Sequence, residues 1–373
     1  MLALILALVS LTSIATVLFK FITADGDFTL LSKKHAKREE VEDKVVWITG
    51  ASRGIVAELQ SLVVSPIQMK ITVRYNPSTL MNTGEVLAKQ FASLGAKLII
   101  SARNEAELER VKKQLTGKHA PDEVIILPLD LASGEDSLND AVQKAESCFS
   151  SAGVDYMIHN AAYERPKSTA LDVTEESLKA TFNINVMGTI SLTRLLAASM
   201  LRRGRGHFVV MSSAAGKTPA PGQAVYSASK FALNGYFHSL RSELYRKGIK
   251  VTIVCPGPIK TSSVPEANTS GQKGSSKKRV SSERCAELTI IAATHGLKEA
   301  WISFQPVLAV MYLVQYMPSI GYWLMDKFLL RFPYVLIVLV VNGSQIGEKR
   351  IEVAAQKGDT YSLSLLLGRK KAL

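Results

Sequence analysis

Tyr226 and Lys230 stand four residues apart, and Ser213 precedes them at the end of an apolar run from His207 to Met211. Positions i and i+4 share one face of a helix, so the phenol and the ammonium are expected side by side. A hydroxyl, a phenol and an ammonium around one crevice suit proton transfer to or from a carbonyl oxygen. A free phenol has a pKa of about 10, too high for efficient acid–base work near neutrality. A neighbouring cation favours the phenolate and lowers that value. Ser213 would hold the substrate oxygen while Tyr226 gives or takes its proton. A lone Tyr-x-x-x-Lys pair is usually a solvated surface pair. The fixed distance from Ser212-Ser213 and the VTIVCPGPIKT stretch that follows set this one apart.

Such a group must be positioned by rigid elements, and the chain supplies a regular alternation of them. Short apolar runs at Lys44–Ile48, Lys97–Ser101, Val124–Leu127, Asp155–Ile158, His207–Met211, Val251–Cys255 and Ala300–Phe304 read as strands. Helical patterns lie between them: GEVLAKQFASLG from Gly84, the run Glu175 to Leu201, a helix opening near Ala224, and Cys285 to His295. The alternation predicts an α/β fold with a single Rossmann-like, doubly wound parallel sheet, and a crevice outside its carboxyl ends. After the first strand comes TGASRGI, Thr49 to Ile55. Gly50 and Gly54 permit a tight turn and close approach of backbone N–H groups to a pyrophosphate. No acidic residue closes the second strand to grip a ribose 2′-hydroxyl. Arg103, with Arg53, can instead pair with a 2′-phosphate, which points to NADP(H).

These segments together resemble the short-chain dehydrogenase/reductase superfamily over most of Lys44 to Phe304. The N-terminal apolar run followed by ADGDFTLL, and WISFQP near the end, resemble its membrane-bound group called dehydrogenase/reductase family member seven. The resemblance implies hydride transfer between a nicotinamide and a carbonyl or alcohol carbon, on lipophilic substrates such as steroids and retinoids. It implies Tyr226 as general acid/base and Lys230 as the group that lowers its pKa and holds the ribose. Ser213 would orient the oxygen and Asn185 complete the proton relay. Thr49, Gly50, Ser52, Arg53, Gly54 and Ile55 would form the phosphate loop, with Asp130 against the adenine, Asn160 beside the loop and Thr261 on the carboxamide. It also implies a dimer through two long helices.

The chain departs from the pattern in three places. His159 and Ala162 differ from the family's Asn-Asn-Ala-Gly, and His159 is expected to cap a strand rather than do chemistry. The third fingerprint glycine should stand at Val56, a β-branched residue that would spoil close helix–strand packing. Removing residues 56–83 restores the fingerprint without a gap, as an inserted segment such as a retained intron would. A second suspected insertion covers residues 328–345. A non-catalytic membrane-associated protein with a disrupted cofactor loop is therefore the competing class. A sugar-nucleotide epimerase of the extended short-chain type shares Tyr-x-x-x-Lys, but no nucleotide-sugar domain accompanies it.

The 373 residues suffice for one large α/β domain with appendages. Three scattered cysteines, Cys148, Cys255 and Cys285, argue against a disulfide framework or a zinc site, and no metal is expected. The net charge of +13 comes without a nucleic-acid motif. Anionic lipid and a phosphate-bearing cofactor account for its sign, so no nucleic acid is expected as a partner. Residues 1–22 are apolar and about 30 Å long as a helix, enough for a retained anchor; a cleaved signal peptide is the rival. Lys20, Lys33, Lys34, Lys37 and Arg38 follow it and favour a cytosolic catalytic domain. The expectation is a membrane-anchored enzyme of the endoplasmic reticulum. Residues 23–43 read as a polar linker, 44–304 as the oxidoreductase domain, and 305–373 as an apolar, membrane-associating extension and tail. Ser262 to Ser282, rich in Ser, Gly and Lys, reads as a substrate lid.

Overall fold

The computed structural model describes residues 12–13, 15–17, 19–52, 83–117, 119–121, 123–164, 168–219, 221–260 and 279–331. Both suspected insertions fall largely outside these residues, as do most of the 262–282 stretch and half of the N-terminal apolar run. Two compact units divide the chain. The larger holds a seven-stranded sheet in the order β3-β2-β1-β4-β5-β6-β9, every neighbouring pair parallel. The strands are β1 (Val45–Thr49), β2 (Lys97–Ser101), β3 (Val124–Ile126), β4 (Tyr156–His159), β5 (Gly206–Met211), β6 (Ile249–Pro256) and β9 (Glu299–Ile302). A separate two-stranded parallel ladder joins β7 (Ile259–Lys260) to β8 (Val280–Ser281). The chain order reverses between β1 and β4, which places the crevice of a doubly wound sheet at their carboxyl ends.

The strands read as continuous apolar runs because helices cover both faces. Along β1, Val46 and Ile48 face one core while Val45 and Trp47 face the other. The first core is closed by α2 (Thr83–Ser93), α3 (Glu105–Lys112) and α8 (Ser282–Thr294), which bring in Leu87, Phe91, Leu108 and Ile291. The second is closed by α4 (Glu135–Ser151), α6 (Thr189–Arg203) and α7 (Ala224–Leu244), with Leu192, Leu196, Leu233 and Phe237 against Phe208 and Ile253. Each such fully buried side chain contributes about 1.5–3 kcal/mol relative to exposure. Before α6, α5 (Glu175–Phe182) runs into a π-helical turn, Asn183–Gly188. The stretch 175–203 is long and apolar enough to cross a membrane, but half of its most apolar window is buried, as in a core helix.

The stretch expected as a polar linker carries structure of its own. It contains α1 (Phe28–Leu31), capped by Asp27, whose side chain accepts from the Leu30 N–H at 2.9 Å. Asp27 also lies along the open edge of β9. Its N–H donates to the Trp301 carbonyl at 2.9 Å, and its carboxylate accepts from the Trp301 N–H at 2.6 Å. These two bonds occupy both backbone polar groups of Trp301 on that edge. Phe21 and Phe28 stack at 5.6 Å between ring centroids, and both pack on Tyr312 of α9 (Val307–Tyr316). The second unit contributes α10 (Pro318–Arg331), on which Ile320, Tyr322 and Trp323 are exposed.

Candidate active site

β5 ends at Met211 and delivers Ser212 and Ser213 to the carboxyl side of the sheet. Ser213 is extended and caps a single 3-10 turn, its hydroxyl accepting from the Ala215 N–H at 3.1 Å. Eight residues further on, α7 begins and returns antiparallel to the strands, carrying Tyr226 and Lys230 on its buried face. The three expected side chains converge. Ser213 stands close enough to the Tyr226 phenol to favour its ionised form. The Lys230 Nζ lies 5.5 Å from the Tyr226 ring centroid and donates to the Met211 carbonyl at 2.9 Å.

Asn185 completes the group from the π-helical turn. Its Oδ1 accepts from the Tyr163 N–H at 2.6 Å and its Nδ2 donates to the Tyr163 carbonyl at 2.9 Å, so one amide side chain pins both polar groups of one residue. The same Nδ2 donates to Ser229 Oγ at 3.2 Å, and that hydroxyl donates to the Tyr226 carbonyl at 2.7 Å. Irregular helical turns of this kind recur at functional sites because they release backbone groups from the i−4 ladder.

Burial decides the charge states here. It pushes the Tyr226 phenol above its ordinary value; the Glu164 charge adds to this and Ser213 works against it. Burial pushes Lys230 down to about 8, opposed by Glu164 and Cys255. The sequence predicts a phenol lowered by its lysine neighbour. In the folded chain desolvation of the ring hydroxyl instead raises it.

The cofactor residues form a second cluster at the β1–β4 switch. Thr49 Oγ1 donates to the Ile158 carbonyl at 3.2 Å and accepts from the Asn160 N–H at 3.2 Å. Asn160 Nδ2 donates to the carbonyls of Thr49 and Gly50, at 3.2 and 3.1 Å. Gly50 has φ +67°, and a Cβ there would stand 2.8 Å from Ala161 Cα. A Cβ on Gly84, second residue of α2, would stand 2.0 Å from the Gly50 carbonyl oxygen and 2.6 Å from Asn160 Nδ2. Gly84 therefore makes the close helix–strand approach expected of a third fingerprint glycine, a place the sequence pattern gives to Val56. Val56 itself lies outside the described residues, as do Arg53, Gly54, Ile55 and Thr261.

Of the remaining expected residues, Ser52 is buried beside the loop and Arg103 is exposed two residues past β2. Asp130 follows β3, its carboxylate accepting from the Ala132 N–H at 3.0 Å. His159 is buried, its Nε2 2.8 Å from Thr193 Oγ1, and burial pushes it down to about 3, so the ring is neutral. Three residues were not singled out from the sequence: Ser229, Gln223 and Glu164. Ser229 and Gln223 lie at i+3 and i−3 from Tyr226, a spacing that marks one helix face. Glu164 is in a loop and carries no periodic signal. The glycine cradle and the turn at the end of β1 fit the pyrophosphate of a dinucleotide.

A parallel sheet with a topological switch, a glycine cradle on one side of it and a hydroxyl–phenol–ammonium group on the other, defines a dinucleotide-binding fold of the Rossmann type. The chain belongs to the short-chain dehydrogenase/reductase family, whose model, described as short chain dehydrogenase, matches residues 80–271. It is 34% identical over 336 residues to dehydrogenase/reductase SDR family member 7 of Homo sapiens, covering 87% of this chain and 89% of the relative. It is 31% identical over 298 residues to the family protein 7-like of Drosophila melanogaster, covering 78% and 82%. A metagenomic short-chain oxidoreductase solved in complex with NADP shares the fold at TM-score 0.51 and 22% identity, covering 68% of this chain and 92% of that one.

Proposed function

We propose that this chain is a membrane-anchored, NADP(H)-dependent oxidoreductase that interconverts a lipophilic carbonyl and its alcohol, of the steroid or retinoid kind. The observation that carries the reading is the convergence of Ser213, Tyr226 and Lys230 at the carboxyl end of β5, with Lys230 Nζ 5.5 Å from the Tyr226 ring and bonded to the Met211 carbonyl. A bound nicotinamide supplies or accepts the hydride at the carbonyl carbon. During reduction Ser213 holds the carbonyl oxygen by a hydrogen bond, and Tyr226, protonated because it is buried, donates its proton to that oxygen. Lys230 stabilises the phenolate that forms, and the Asn185–Ser229 bonds hold the start of α7 in register. Oxidation runs the same proton path in reverse.

Gly50, Gly84 and Asn160 shape the pyrophosphate cradle, Thr49 and Ser52 its floor, and Asp130 the adenine side. Arg103 is the described candidate for a 2′-phosphate; the structural neighbour's NADP agrees with that choice. Residues 1–22 anchor the domain, with Phe21 docked on Tyr312 where the run meets the fold. The test is NADPH oxidation by the full chain in lipid vesicles with apolar aldehydes and ketones, beside thermal stabilisation by NADPH and NADH. Turnover with NADPH and stronger stabilisation by it are expected. No turnover and no stabilisation by either nucleotide would sink the reading.

A further inference from the structure

The loop after β4 places one carboxylate against the start of α7, the helix that carries Tyr226 and Lys230. Asn185 pins the backbone of Tyr163 on both its N–H and its carbonyl, so the next residue, Glu164, leaves a fixed point. From the other side Gln223, the N-cap residue of α7, donates from Nε2 to Glu164 Oε1 at 2.8 Å. Gln223 lies one helical turn before Tyr226 on the same face. Two independent restraints, one from the π-helical turn acting through Tyr163 and one from α7, thus hold a half-buried acidic group beside the start of α7. Its charge is felt by both Tyr226 and Lys230.

We propose that Glu164 is a specificity-determining residue: its carboxylate, bonded to the residue one helical turn before the reacting phenol, turns away substrates with an anionic group beside the reacting carbonyl and favours those offering a hydroxyl there. A like charge brought against a partly desolvated carboxylate is penalised in binding, while a hydroxyl can donate to the carboxylate oxygens. Discrimination of this kind acts by rejecting the wrong ligand as much as by attracting the right one. The chemical class expected is a neutral, hydroxyl-bearing carbonyl compound, and 2-oxo acids are expected to be poor substrates.

Because this assignment rests on the oxidoreductase reading, its test has two arms. The first compares NADPH-dependent reduction of 3-carboxybenzaldehyde, its methyl ester and 3-(hydroxymethyl)benzaldehyde by the full chain. Wild type is expected to prefer the two neutral aldehydes by about thirtyfold or more in kcat/KM. Glu164→Gln should narrow that preference about tenfold, through KM of the carboxylate, and Glu164→Asp should restore most of it. The second arm needs no turnover: calorimetric titration with the carboxylate and its ester, where the same ratio should move in Kd. Gln223→Ala, which frees the carboxylate from its bracket, should narrow both ratios about threefold and serves if Glu164→Gln fails to fold. Ratios unchanged within twofold in both arms overturn the assignment. Binding ratios that respond to Glu164→Gln with no turnover of any aldehyde would overturn the oxidoreductase reading and leave the specificity role standing.

Discussion

Gly84 approaches Gly50 so closely that a methyl group on Gly84 would lie 2.0 Å from the Gly50 carbonyl oxygen. These two residues are far apart along the chain, yet they meet as neighbours at the carboxyl end of β1. A side chain at Gly84 must displace backbone, which does not yield as a flexible side chain does. Gly84→Ala is expected to cost about 1–3 kcal/mol and to remove stabilisation by NADPH. Gly235→Ala, on α7 with nothing within 4 Å of the added methyl, is the control and should be neutral or slightly stabilising. Thermal unfolding of both variants with and without NADPH decides; an unaffected Gly84→Ala would dissolve the cradle.

Tyr226→Phe removes the buried hydroxyl and leaves the ring that Lys230 faces. Turnover should fall at least about a thousandfold while NADPH affinity stays within a few fold, because only the transition state uses the proton. Steady-state kinetics and a fluorescence titration separate the two quantities. Retained turnover would strip the phenol of its role.

Arg103 is exposed just beyond β2, where no carboxylate competes for a ribose. Arg103→Asp should shift preference from NADPH towards NADH by about a hundredfold in kcat/KM, since a cation–phosphate attraction becomes a repulsion. The measured ratio of the two cofactors is the readout, and an unmoved ratio counts against a phosphate contact.

Lys230 is pushed down to about 8 by burial. Its cation is therefore present below pH 8 and lost above it, and the phenolate formed during reduction loses its stabilising charge over the same range. Carbonyl reduction should be flat in kcat/KM below about pH 8 and decline above it. Alcohol oxidation, which needs the raised phenol to lose its proton, should climb as pH rises from neutrality. Profiles of the two directions that coincide would contradict this assignment of charge states.

Glu299, at the start of β9, accepts from Lys217 Nζ at 2.9 Å, from His238 Nε2 at 2.6 Å and from Trp301 Nε1. Burial alone would raise its pKa, but these hydrogen bonds bring it down to about 2. A carboxyl whose folded pKa is depressed stabilises above its unfolded value and loses that contribution as pH falls. The contribution should be full above about pH 4.5 and fade towards pH 2. Glu299→Gln is expected to destabilise by about 1–3 kcal/mol at pH 7 and by much less at pH 3. Chemical denaturation at the two pH values tests the difference.

The strands and the helix α7 are legible in the sequence because burial of a parallel sheet on both faces demands continuous apolar runs, and a helix repeats its face every three to four residues. The group Ser213, Tyr226, Lys230 is legible for the same reason: two members share a helix face and the third ends the strand before it. Local order alone also separates His159 as a strand-end residue. Gly84's place beside Gly50, the clamp of Asn185 on Tyr163 and the bracket of Gln223 on Glu164 were decided only by tertiary structure. Each joins residues from different elements, and no periodicity encodes such a contact. Tertiary structure also set the sign of the phenol's shift, because desolvation depends on what surrounds a side chain in space and not on its neighbour along the helix.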